Sequence, residues 1–267
     1  MNQFIKKLFG IISHICKSQN KIIEIISIYY NRQSKRNLCK NAMLLTDLTK
    51  YLKKTNSTGC SYADYWELYN YIREKKPSEI LECGTGVSTI IMAHALLENE
   101  RETGIVGRIT SMEDIEKWYE AAIKILPEHL SKYVDLVHSV RIENYYSIYR
   151  GVCYKDVPKR PYDFVFIDGP GTKAPSDGDK TFDMDFINVV RNSDKTVSAI
   201  IDKRLSTCYV FQKIFGDDKV KYVPYKGLGY VKQCTKSDLK VVGLAKDFES
   251  CFKAFGKTKL HLTMIKK

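Results

Sequence analysis

From residue 61 onward, short strand-like runs alternate with longer segments of helical period. No other feature restricts the fold as strongly, because parallel neighbours in a sheet need crossover connections and helices supply them. The predicted strands are Glu79–Cys83, Gly107–Met112, Tyr133–His138, Tyr162–Asp168 and Val197–Asp202. Helices are predicted at Tyr62–Arg73, Val87–Leu97, Asp114–Leu126, up to about Arg191, and Leu205–Phe215. The closing pieces Val220–Val223, Tyr230–Gln233 and Lys240–Leu244 have no long helices between them, which predicts an antiparallel end to the sheet. At 267 residues the chain has room for one large domain and an appendage. We read 61–267 as the α/β domain and 1–60 as a basic helical extension. Ligands of such sheets bind beyond the carboxyl ends of the strands, near the switch in strand order. That rule selects Glu82–Thr89, Met112–Asp114, His138–Val140, Asp168–Gly171 and Asp202–Arg204.

The first of these reads SEILECGTGVSTI, residues 78–90, an apolar strand that ends in a carboxylate and two glycines. Gly84 and Gly86 allow a sharp turn and close approach to the start of a helix. A dinucleotide fingerprint would carry a third glycine where Thr89 stands. Glu82, two residues before Gly84, suits a cationic group, an amine or a sulfonium, better than a pyrophosphate. At the second strand end Glu113 is placed to accept hydrogen bonds from both hydroxyls of a ribose. It lies 29 residues past Gly84, a spacing lengthened by the polar stretch Glu98–Gly107, read as a loop. Asp114 is expected to cap the following helix.

These motifs resemble those of class I S-adenosylmethionine-dependent methyltransferases. The shared features are Glu82-x-Gly84-x-Gly86 continuing into Val87-Ser88-Thr89, Ser111-Met112-Glu113, and Phe166-Ile167-Asp168-Gly169. The O-methyltransferase-like branch is the nearest in pattern, and the resemblance covers about 75–245. It implies a Rossmann-like, doubly wound, mostly parallel seven-stranded sheet with an antiparallel last strand, and S-adenosylmethionine as cofactor. By the same resemblance Glu82, Gly84, Thr85, Gly86 and Ser88 hold the methionyl end, Glu113 holds the ribose, and His138–Val140 borders the adenine. Asp168 is the candidate base, with cofactor binding as its other role.

A sulfonium is an activated methyl donor, so alignment supplies most of the acceleration. A hydroxyl acceptor must also lose a proton, which calls for a base or a metal. One branch of the family holds a divalent metal with the fourth-strand Asp and an Asp-Asn pair after the fifth strand. Here Asp202 is followed by Lys203, so no metal is expected. Asp177, Asp179, Asp183 and Asp185 lack calcium-loop spacing and are read mostly as loop and helix-start carboxylates. No Pro-Pro-Tyr turn follows Asp168 and no Pro-Cys pair exists, which argues against base-amine and cytosine C5 methylation.

The expected acceptor is a small molecule or glycan oxygen. The alternatives are RNA methylation, or a non-catalytic module of the same fold that binds through its basic flanks. The net charge of +12 resides in those flanks: residues 1–60 carry 11 Lys/Arg against 2 acids, and 235–267 carry 8 against 3. Nucleic acid, anionic lipid and glycan are the partners such charge attracts. Apolar residues at helical spacing in 1–30 predict a helix packed on the domain, or on a second copy of it as a homodimer, and leave open a peripheral membrane contact. Eight scattered cysteines, without a Cys-x-x-Cys pair or a secretory leader, predict reduced thiols and a cytoplasmic location.

Overall fold

The computed structural model of the protein describes residues 3–54 and 61–241, with side chains from residue 21 onward. Three helices come first, α1 (Gln3–Leu38), α2 (Ala42–Lys54) and α3 (Tyr62–Lys75). The α/β alternation follows as β1 (Glu79–Cys83), α4 (Val87–Thr103), β2 (Arg108–Glu113), α5 (Glu116–Ile125) and β3 (Val134–His138). Then come β4 (Arg141–Tyr146), β5 (Tyr149–Tyr154), β6 (Phe164–Ile167), β7 (Phe182–Asp183), α6 (Asp185–Asn192) and β8 (Val197–Asp202). The described chain closes with α7 (Leu205–Phe215), β9 (Val220–Val223) and β10 (Leu228–Cys234).

Seven strands form one sheet in the order β3-β2-β1-β6-β8-β10-β9. The pairs from β3 to β8 are parallel, and β10 runs antiparallel to both β8 and β9. This is the Rossmann-like, doubly wound sheet with a reversed last strand that the motifs implied. The chain first builds outward from β1 to β3 and then returns to β6 on the other side of β1. The β1/β6 boundary is therefore the switch point. Residue for residue, Cys83 lies beside Met112 and Ile167. The next residues of the three strands, Gly84, Glu113 and Asp168, consequently emerge at one level.

Side-chain parity divides the core in two. Ile80, Ile109, Phe164, Phe166 and Ile200 face α3 and α4. Leu81, Cys83, Val165, Ile167 and Ala199 face α6 and α7, where Phe186, Phe211 and Phe215 pack edge to face. Each of the Val, Leu, Ile and Phe side chains among them, fully buried, contributes about 1.5–3 kcal/mol. Helix α4 lies inside this arrangement, and Val87–Leu96 are buried on every side.

Several expectations change. Glu98–Thr103 continues α4 and does not loop; Glu98 and Glu102 pair with Arg73, and Glu100 with Lys132. The helix stops at Gly104, whose φ of +74° takes the left-handed C-cap conformation. The tyrosine-rich segment, assigned no element from sequence, is the β4–β5 hairpin, joined to β7 in a second, three-stranded sheet. Lys240 and Val241 are not in a strand, and the rest of the proposed closing strand lies outside the described residues.

Helices α1 and α2 rest on the α/β unit. Leu38, Leu44, Leu48 and Tyr51 are buried in the same cluster as α3 and α4. Tyr30, Lys226 and Tyr230 converge on Glu67, tying α1 and β10 to α3. The opposite side of α1 exposes Ile22, Ile25, Ile28 and Tyr29. No described helix is long and apolar enough to cross a membrane.

Candidate functional site

Period-two alternation places Glu82 on the α4 face of the sheet, in step with Ile80, and not at the strand tip. The first turn of α4 covers it completely. Its carboxylate accepts hydrogen bonds from Ser88, Thr89 and Ser111, each at 2.6 Å. The Ser88 hydroxyl, expected to face a ligand, is thus directed inward. Thr89 and Ser111, which sequence reasoning did not assign to Glu82, are its other partners. The signal was present: three hydroxyl side chains stand where the surrounding pattern asks for apolar ones.

Burial pushes the Glu82 carboxyl up to about 7 against the pull of its three hydroxyl donors, with the Asp168 charge adding to the rise. Asp183, also fully buried, is pushed up to about 6 by burial, opposed by Arg204 and Thr207. Both acids bind protons more tightly folded than unfolded, so their stabilisation is complete below their unfolded values and is lost as pH rises through 6–7. Each shift corresponds to at most about 3 kcal/mol. The urea midpoint should therefore fall between pH 5 and pH 7.5. Glu82→Gln should flatten that fall, and equal slopes for wild type and variant would contradict the assignment.

The two glycines of the turn differ in what they serve. Gly84 has φ +96°, and a Cβ there would lie 3.0 Å from the backbone of Asp168 and Gly169. Its N–H donates to the carbonyl of Met112 at 2.9 Å. It is a packing glycine, set by the close approach of the turns after β1 and β6. At Gly86 the backbone is extended, with φ 172°, and a Cβ would meet nothing within 4 Å. Neither strain nor packing calls for glycine there. What its missing side chain leaves is open space against the start of α4, whose amino end carries partial positive charge. Thr85, between them, is half-buried.

Glu113 is 7% exposed, and its Oε1 accepts the Ile115 N–H at 3.0 Å. Burial raises its carboxyl, opposed mainly by the Ile115 N–H. This is the local bond expected of Asp114. Asp114 instead faces Arg141, 3.6 Å away. Beyond β3, His138 is exposed and tilts against Tyr119 at 5.5 Å between ring centres, while Val140 is 52% exposed. Tyr51 of α2, 5% exposed, is raised to about 12 by burial and by the charges of Glu82 and Glu113. The amino-terminal region therefore lies within electrostatic reach of these acids, which nothing in its sequence announced.

At the ends of β6 and β8 the acids are paired. Asp168 is 31% exposed and lies near buried Asp202. Burial raises the Asp202 carboxyl, and the charges of Asp168 and Asp64 raise it further against Lys203. Lys203 adopts φ +48°, and its Nζ sits 3.9 Å from Asp202 and 3.6 Å from fully buried Asp64. An ammonium thus stands beside the acid pair. Arg204 donates from Nη1 to Asp183 at 2.6 Å and to the Pro170 carbonyl at 2.7 Å, and from Nη2 to the Asp168 carbonyl. It fixes the turn that carries Asp168. Asp183 and Asp185, read from sequence as loop and helix-start acids, are both fully buried, the first on Arg204 and Thr207 and the second on the Tyr154 N–H. Arg204, Asp183 and Asp64 were not selected from sequence as site residues.

A hollow of about 1030 Å³ opens at the other end of the strands, lined among others by Tyr71, Pro77, Asp163 and Lys195. It lies at the amino ends of the parallel strands, the side that ligands of such sheets do not use.

No family model matches the sequence, and no curated protein matches it. Among solved structures the chain is similar to the O-methyltransferase TomG from Streptomyces achromogenes, involved in tomaymycin synthesis and crystallised with S-adenosylmethionine. Identity is 18% over 72% of this chain and 90% of that one, with a TM-score of 0.46. It is also similar to the S-adenosylhomocysteine-bound methyltransferase PaMTH1 from Podospora anserina, at 11% identity over 83% of this chain and 96% of that one, TM-score 0.43. A methyltransferase-like protein from Silicibacter pomeroyi gives 13% identity over 74% and 95%, TM-score 0.42. Likeness at this level assigns neither substrate nor residue roles.

Proposed function

We propose that this chain is an S-adenosylmethionine-dependent methyltransferase acting on an oxygen of a small molecule or sugar in the cytoplasm. One observation carries the reading: Gly86 leaves open space at the switch point, between a buried carboxylate and two strand-end acids, where neither backbone strain nor packing explains a glycine. The donor fits that chemistry. Its carboxylate suits the amino end of α4, and its ammonium and sulfonium suit Glu82, Glu113 and Asp168. When bound, it supplies an electrophilic methyl group on positively charged sulfur.

The chain's residues then divide the work. The Gly86 backbone and Thr85 admit the methionyl end. Glu82 acts one layer below the surface: its hydroxyl cage fixes the turn, and its charge favours a cation above it. Glu113 takes the ribose hydroxyls. The acid pair Asp168–Asp202, when deprotonated, receives the acceptor's proton, with Lys203 limiting repulsion between the carboxylates.

The test is a methyl-labelled donor incubated with fractionated cell extract. Label should appear in low-molecular-weight hydroxyl compounds or sugars. Label confined to RNA would transfer the assignment to the nucleic-acid alternative.

A further inference from the structure

Outside the site described above, one polar cluster sits where two helices and a turn meet. Asp47 is on α2, His94 on α4 and His129 on the 3-10 helix Glu128–Tyr133. Asp47 is 7% exposed and His94 1%, whereas the His129 side chain is 39% exposed. A single oxygen, Asp47 Oδ2, lies 2.9 Å from the Nε2 of both histidines. One ligand atom from each of the three side chains falls within 4.8 Å of the others. Among the described residues no other group of three or more His, Cys, Asp or Glu side chains converges in this way.

We propose that Asp47, His94 and His129 form a divalent transition-metal site of the zinc type. Two imidazoles and a carboxylate are a ligand set that zinc accepts, with a fourth position left for water. The side open to solvent at His129 supplies both the entry path and that position. Calcium and magnesium, which prefer oxygen ligands, do not suit it. Tetrahedral zinc with bonds near 2.0–2.1 Å sets its ligand atoms about 3.3 Å apart. The two 2.9 Å contacts need open by only a few tenths of an ångström to admit the ion. Binding exchanges the His94–Asp47 hydrogen bond and the close His129–Asp47 contact for three metal bonds, and each Nε2 gives up its proton or carries it to Nδ1.

The consequence is mechanical. The ion would fasten α2 to α4 one helical turn from Tyr51, which feels the charges of Glu82 and Glu113, and so couple the amino-terminal helices to the candidate donor site. The metal proposal itself does not depend on the methyltransferase reading.

The test uses the full chain freed of metal by chelation. Cobalt(II) is added first, then zinc in competition, with circular dichroism confirming that each variant is folded. Wild type should bind one equivalent, show visible absorption typical of low-coordinate cobalt with nitrogen and oxygen ligands, and gain several degrees of thermal stability with zinc. His129→Ala, a change at an exposed position, should weaken binding at least 100-fold without altering the fold, and Asp47→Asn should do likewise. Absence of stoichiometric binding to wild type overturns the proposal. So does wild-type affinity in His129→Ala, or a thiolate-to-cobalt charge-transfer band, which would place the ion on cysteine.

Discussion

Gly84→Ala should lower the unfolding free energy by about 2–4 kcal/mol, whereas Gly86→Ala should change it by less than about 1 kcal/mol. The first substitution forces a Cβ into a left-handed backbone at φ +96° and to within 3.0 Å of the main chain of Asp168 and Gly169, which no rotamer relieves. Strain and overpacking each contribute on the order of 1–3 kcal/mol, and partial relaxation of the two turns keeps their sum below the maximum. Both turns share that relaxation, and the one after β6 carries Asp168, so the surviving fold should have its acid pair displaced. At Gly86 the extended backbone accepts a side chain and the new methyl meets no protein atom within 4 Å. Two glycines separated by one residue should therefore fail in different assays, the first in denaturant titration and the second in ligand binding. Equal stability losses at both positions would contradict the division drawn between them.

Asp168→Asn should reduce the methyl-transfer rate by 10²–10⁴, the usual contribution of a positioned base. The pH dependence is more telling than the size of the loss. As the proposed base, the Asp168–Asp202 pair must be deprotonated before it can accept a proton. Burial and mutual repulsion hold the Asp202 carboxyl well above the ordinary carboxylate range. Activity should therefore rise with pH, with a midpoint far above that of an exposed carboxylate. Asp202→Asn leaves Asp168 with no carboxylate opposite it, so the acidic limb should move to lower pH even where the maximal rate falls. A profile that does not move in Asp202→Asn, measured as kcat/KM against pH, would mean that the two acids do not titrate as a pair.

The sheet was legible because alternation of strand and helix admits few topologies, and Glu79–Cys83 and Val197–Asp202 were read to the residue. The β4–β5 hairpin was not. Its two-residue connection, Ser147-Ile148, sets Ser147 at φ +55° without the glycine or asparagine that marks such turns. The continuation of α4 through Glu98–Thr103 was hidden by its charge, since acidic side chains paired with Arg73 and Lys132 on a solvated face read as loop when the partners are not in view. At the site, the positions of Glu113 and Asp168 follow from the strand ends. The burial of Glu82 follows from parity with Ile80, which was available but not applied. Tyr51, Asp64 and Arg204 reach the site from distant segments, and no local pattern encodes that placement.

The most direct measurement is calorimetric titration of S-adenosylhomocysteine into wild type and Gly86→Val, with thermal melts to show that both are folded. Wild type should give saturable one-site binding with a Kd below about 1 mM, and Gly86→Val should bind at least 100-fold more weakly while melting within a few degrees of wild type. Absence of wild-type binding, or undiminished binding when the space beside residue 86 is filled, would contradict the donor site.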